Sequence, residues 1–121
     1  MKQITHEFNG SVYTLDFGKM AFSLYFGEIT AVDPVVDLMA VATDPKKQVD
    51  FIKGLIYGGI NCYNRINKKD LITIEQAEEF ALSMEEEDAA SLINKFAGTL
   101  AKSKEPGEDQ AQAESPSLGM N

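Results

Sequence analysis

The stretch that follows Asp44-Pro45 limits the fold more than any other part of the chain. Over residues 45–66, Val49, Ile52, Ile56, Ile60 and Tyr63 recur at helical spacing, and Phe51, Leu55, Cys62 and Ile66 widen the stripe. Asp44 stands where a helix N-cap belongs and Pro45 where the first turn tolerates proline. So broad an apolar sector cannot be covered by one neighbour, which predicts a central, largely buried helix. Gly54, Gly58 and Gly59 fall inside it. Each costs a helix about 1 kcal/mol relative to alanine. A concentration of that cost points to the close approach of another backbone, or to a kink.

The covering elements are legible on both sides. Residues 2–8 and 11–16 alternate, with Ile4, His6 and Phe8 on one face of the first run, and Tyr13, Leu15 and Phe17 opposed to Val12, Thr14 and Asp16 in the second. Asn9-Gly10 between them is the favoured pair for a type I′ turn, because both positions need positive φ. A lone hairpin is marginal in water, so this one has to pack on something. From Gly18 the period changes. Met20, Ala21, Leu24 and Tyr25, after Phe17, predict a short helix ending at Gly27.

Asp33-Pro34 starts a further helical piece through Val35, Leu38, Met39 and Ala42. Downstream, Thr73-Ile74-Glu75-Gln76 reads as a capping box, and Ile74, Ala77, Phe80, Ala81 and Met84 form the face of its helix. Ser83-Met84-Glu85-Glu86 matches the same motif. The acids Glu85, Glu86, Glu87 and Asp88 suit the positive end of the last helix, whose apolar face is Ala89, Leu92, Ile93, Phe96, Ala97 and Leu100. The expectation is an α+β, mostly α domain over residues 1–103: an N-terminal β-hairpin packed on a bundle of four to five helices. Residues 104–121 are rich in Pro, Gly, Ser, Gln and acids, and predict a disordered acidic tail.

Charge narrows the partners. The chain of 121 residues has a formal net charge of −8. Acidic chains repel phosphate backbones and anionic membrane surfaces, so neither nucleic acid nor membrane is expected. The longest uncharged apolar-rich stretch, residues 55–64, is too short to span a bilayer, and the first residues lack the apolar run of a signal peptide. A cytoplasmic location is expected. The single cysteine, Cys62, excludes an internal disulfide.

Catalytic constellations are hard to assemble from these residues. His6 is the only histidine; it lies on a strand face with Ile4 and Phe8, whereas Cys62 sits in an apolar helix. One histidine and one cysteine cannot supply the ligand set of a zinc site. Residues 65–76 have the rhythm of a calcium loop, but Arg65, Asn67, Lys69 and Gln76 stand where ligands belong, and Asp70 where glycine belongs. Residues 54–59 lack the Gly-Lys-Ser/Thr ending of a phosphate loop. No catalytic residue, cofactor or metal is therefore expected, and the chain is read as a non-enzyme. What remains is surface. With 7 Phe and 5 Met, some groups exceed what one core needs, and Phe22, Phe26, Phe51 and Tyr57, beside the main helix faces, are candidates to meet a partner.

The order of elements resembles a known family. Tyr13-Thr14-Leu15-Asp16-Phe17-Gly18 leads from the hairpin into a small helix ending at Phe26-Gly27. A central helix then carries Leu55-Ile56-Tyr57-Gly58-Gly59-Ile60, and Leu71-Ile72-Thr73-Ile74-Glu75-Gln76-Ala77 opens the next. Over residues 3–103 this is similar to the tail assembly chaperones of long-tailed bacteriophages and prophages. The resemblance implies a non-catalytic protein that binds the tape measure protein, keeps it soluble, and assists tail tube protein to polymerise around it. It also implies absence from the finished particle, and a longer frameshifted form for which the tail from Glu105 suits the junction. By this match Leu55, Ile56, Tyr57 and Ile60 lie in the central helix and serve the core or the partner surface; with Phe51 on its flank they are the candidate partner-binding residues. A homo-oligomer is compatible with the same outline.

Two other readings use the same features. A structural virion component, such as a head–tail connector subunit, has this size and hairpin–helix build. A small acidic regulatory or inhibitor protein would act through its acidic face.

Overall fold

A computed structural model describes residues 2–30 and 44–103. Among them the chain forms an antiparallel hairpin of β1 (Gln3–Phe8) and β2 (Ser11–Asp16), followed by helices α1 (Met20–Ile29), α2 (Pro45–Ile66), α3 (Ile74–Ser83) and α4 (Glu86–Ser103). This is an α+β fold, mostly α, as expected. The helix expected from Asp33-Pro34 and the tail from residue 104 lie outside the described residues.

Asn9 and Gly10 adopt φ of 51° and 84°, the double left-handed pair of a type I′ turn. The turn fixes the register: Phe8 pairs with Ser11, His6 with Tyr13 and Ile4 with Leu15. His6, Phe8, Leu15 and Phe17 consequently go to the core side. Asp16 breaks the alternation by being buried as well. Its carboxylate accepts from the Gly18 backbone N–H at 2.8 Å and from Gln3 Nε2 at 3.2 Å, which binds the end of the hairpin to the turn before α1.

α2 is the axis of the molecule. Asp44 caps it, accepting from the backbone N–H groups of Lys46 and Lys47. Its far end closes with a Schellman pattern: Lys69 N–H donates to Asn64 O and Lys68 N–H to Arg65 O. Lys68 takes the left-handed position, φ 59°, where glycine fits better. Lys68→Gly is expected to raise stability by about 0.5–1 kcal/mol, read as a higher urea midpoint at unchanged slope. A lower midpoint would contradict that reading of the helix end.

The three glycines explain how α1 and the hairpin pack. A Cβ on Gly54 would lie 2.7 Å from the Phe26 ring, one on Gly58 2.9 Å from the Phe22 ring, and one on Gly59 2.7 Å from Leu15 Cβ. The helix is continuous through all three, so they serve close approach and not a break in the helix. Phe22 and Phe26, one turn apart on α1, fit over glycines one turn apart on α2. That pairing overrides the periodicity read from the sequence. Phe22, Tyr25 and Phe26 are the buried face of α1, whereas Met20 is 91% and Leu24 60% exposed. Nor does α1 stop at Gly27; it runs to Ile29, with Ile29 against the core and Glu28 accepting a 3.1 Å bond from Tyr57.

α3 begins with the full capping box, Thr73 accepting from Gln76 N–H and Gln76 Oε1 from Thr73 N–H. The second box does not form. Ser83 is the last residue of α3, and its hydroxyl donates back to Glu79 O at 2.8 Å, while Glu85 O receives Ala89 N–H at the start of α4. Leu92 and Phe96 of α4 are buried, and Phe96 meets Phe17, Phe22 and Phe51 ring to ring. Such edge-on and tilted pairs add to the burial of the rings themselves.

Candidate partner-binding surface

The five residues expected to meet a partner are all inside the protein. Phe51, Leu55, Ile56 and Ile60 are 0% exposed and Tyr57 is 9%. Phe22 and Phe26 are covered too, by the glycine notches of α2. In fact all seven phenylalanines are buried, so the aromatic surplus read from composition is core and not surface. The reason is geometric: the notches let α1 and the hairpin sit close enough to enclose rings on the flanks of α2. In the described fold, none of these side chains offers a surface to a second chain.

The structure also gives His6 and Cys62 different surroundings. His6 is buried beneath Phe8, ring centroids 5.0 Å apart. Lys95 Nζ lies 3.1 Å from Nδ1, and Asp88 Oδ1 lies 2.8 Å from Nε2. An ammonium only donates, which makes Nδ1 the acceptor and leaves Nε2–H to Asp88. Lys95 also donates to Thr5 O at 2.9 Å, so the group ties β1 to α4. With both ring nitrogens engaged, the histidine is a strut.

Cys62 is 0% exposed. Burial, chiefly, and the nearby Asp16 charge push its thiol pKa up from 9.0. The folded state thus holds the thiol proton more tightly than the unfolded chain. Stability from this group is intact below pH 9.0 and declines as pH rises past it. A thiol reagent at pH 7 is expected to label the native protein at the rate of unfolding, and at least about 100-fold slower than the urea-unfolded chain. Comparable rates would show an accessible thiol.

Near the hairpin turn, where Ser83 Oγ lies 3.4 Å from Asn9 Oδ1, the surface opens between helix ends and is in part apolar. The start of α2, the end of α3 and the start of α4 border a groove of about 470 Å³. Val49 and Ile52 line it from α2, Ala81 and Leu82 from α3, and Ala89 and Ala90 from α4, with Met84 at the corner between α3 and α4. Leu82 is 65% and Val49 42% exposed. Beyond Leu82, the outer side of α3 is acidic: Glu75, Gln76, Glu78 and Glu79 border a second, shallow depression that shares Leu82. Lys53 lies 3.8 Å from Glu78, and no other α3 carboxylate pairs with a described cation.

Sequence reading placed Ala81, Met84 and Ala89 on apolar faces, but it did not bring the ends of three helices together. Leu82 was missed altogether, since it falls off the α3 stripe. Its signal was local: a leucine between the acidic pairs at 78–79 and 85–86.

No protein-family model, curated protein or solved structure matches this chain. Among the described residues, no group of three or more His, Cys, Asp or Glu could hold a metal ion, and no helix is long and apolar enough to cross a membrane.

Proposed function

We propose that this protein is a non-catalytic assembly chaperone that works by covering an apolar helix of another protein, in the manner of the tail assembly chaperones it resembles. Its client would be a tape measure protein, and the tail tube protein would assemble around the protected chain. The observation that carries this reading is the groove at the ends of α2, α3 and α4, where exposed Val49 and Leu82 lie on one concave surface. Helix-in-groove recognition needs such a trough, wide enough for one apolar stripe and lined by small or adaptable side chains; Ala81, Ala89, Ala90 and Met84 fit that need. The net charge of −8 keeps a loaded chaperone soluble.

The test is co-expression with fragments of a tape measure protein encoded beside it. At least one fragment that is insoluble alone is expected to become soluble and to co-purify at a fixed ratio. Failure across fragments tiling the whole client would remove the reading. Presence of the protein in purified particles at stoichiometric amounts would replace it with a structural role.

A further inference from the structure

The groove has a charge pattern that specifies its occupant more narrowly than "an apolar helix". Apart from Glu86 its lining carries no charge; Val49, Ile52, Leu82 and Met84 are its larger apolar members, and Gln48 is polar. One lining residue, Glu86, is acidic, and a second acid, Glu79, borders the adjoining depression across Leu82. Glu79 stands exposed beside Leu82 on α3, and Glu86 lines the groove from the start of α4 between exposed Glu85 and Glu87. The helix dipole accounts for acids in the first turn of α4, but not for Glu79 in the second half of α3, where the dipole disfavours them. None of Glu75, Glu79, Glu85, Glu86 or Glu87 makes an ion pair with a described residue.

From this the geometry points to one occupant: an amphipathic helix of a partner protein whose apolar stripe is bordered by lysine or arginine. This rests on the chaperone reading for its biological setting, but not for its chemistry. A stripe entering the trough would bury against Leu82 and Val49. Cations on its edges would meet the carboxylates of Glu79 and Glu86, neither of which forms an ion pair among the described residues. An acid-bordered helix with the same stripe would face like charges at Glu79 and Glu86, and like-charge juxtaposition is what suppresses wrong partners. The exposed Lys46 and Lys47 at the start of α2 favour the opposite sign on that side, so the discrimination belongs to the α3 and α4 flanks.

The probes are two synthetic helical peptides of about four turns with an identical leucine–alanine stripe, one bordered by lysines and one by glutamates. Each is titrated into the full chain by fluorescence anisotropy. The lysine-bordered peptide is expected to bind at least about tenfold tighter, with the margin shrinking at high salt. Leu82→Ser, at a mostly exposed position, and Val49→Ser are each expected to weaken binding severalfold with circular dichroism and melting unchanged for Leu82→Ser. The pair Glu79→Lys and Glu86→Lys is expected to reverse the preference.

Equal binding of the two peptides would overturn the proposal. So would binding insensitive to Leu82→Ser, or no binding of either peptide, which would mean that the groove is closed by this chain itself. Concentration-dependent self-association abolished by Leu82→Ser would assign the groove to a second copy instead. The two readings fail separately. Solubilisation of a tape measure fragment that persists in Leu82→Ser sinks the groove assignment alone. Selective peptide binding with no solubilised fragment sinks the chaperone reading alone.

Discussion

Gly59→Ala is expected to destabilise the protein by about 2 kcal/mol or more, although the same change would strengthen an isolated helix by about 1 kcal/mol. The new methyl would lie 2.7 Å from Leu15 Cβ, 2.9 Å from Leu15 Cδ2 and 2.9 Å from Phe17 Cε1. Leu15 Cβ is one bond from the backbone of β2, so no rotamer change moves it away. Relief requires the hairpin to lift off α2, and Leu15 is fully buried there. Overpacking at a site that cannot yield costs about 1–3 kcal/mol and occasionally more, which outweighs the gain in helix propensity.

The neighbouring glycines set a scale. At Gly54 the nearest atoms to the methyl all belong to the Phe26 ring, a side chain and not backbone, so Gly54→Ala is expected to cost less than Gly59→Ala, about 1 kcal/mol. Gly58→Ala falls between, because the Phe22 carbonyl oxygen at 3.1 Å yields less readily than a ring. Urea midpoints measured on the three variants check the order. A gain in stability at Gly59, or three equal losses, would show that the notches are not tight.

Asn61→Leu is expected to cost about 2–4 kcal/mol and to lower the melting temperature by more than about 10 °C, although it places an apolar residue of similar size in an apolar helix. Asn61 is fully buried. Its amide holds both sides of one residue: Nδ2 donates to Ile72 O at 3.1 Å, and Oδ1 accepts from Ile72 N–H at 2.8 Å. Leucine would leave both backbone groups unpaired beside the core, and the desolvation of each is what makes the loss large. The clamp ties the loop after α2 back to the C-terminal part of that helix, and so positions the Thr73 cap and α3.

A control lies three residues on. Asn64 Nδ2 donates to Asp70 O at 2.8 Å, but the bond is exposed and water can replace it. Asn64→Ala is therefore expected to cost about 1 kcal/mol or less. Equal melting temperatures for the two variants would refute the clamp. Because α3 forms one wall of the groove, Asn61→Leu is also expected to weaken binding of the lysine-bordered peptide, whereas Asn64→Ala leaves it near the wild-type value.

Local chemistry alone determined much of this protein. Asn9-Gly10 dictated the turn and register, because two adjacent positive φ values admit few other pairs. Asp44-Pro45 fixed where α2 starts, and the Thr73–Gln76 box where α3 starts, since both motifs satisfy helix-end donors within four residues of chain. Packing between elements decided the rest. The buried face of α1 was set by where Gly54 and Gly58 leave room for Phe22 and Phe26, a fact about α2 that the α1 sequence does not contain. Ser83 had the spacing of a cap, but its hydroxyl turned back to Glu79 O. The groove joins the α3–α4 corner to the start of α2, some thirty residues earlier in the chain, so that Leu82 and Val49 line one surface. Periodicity reports which residues of one element are apolar. It cannot report which of them a neighbour will cover, because burial is a property of the pair.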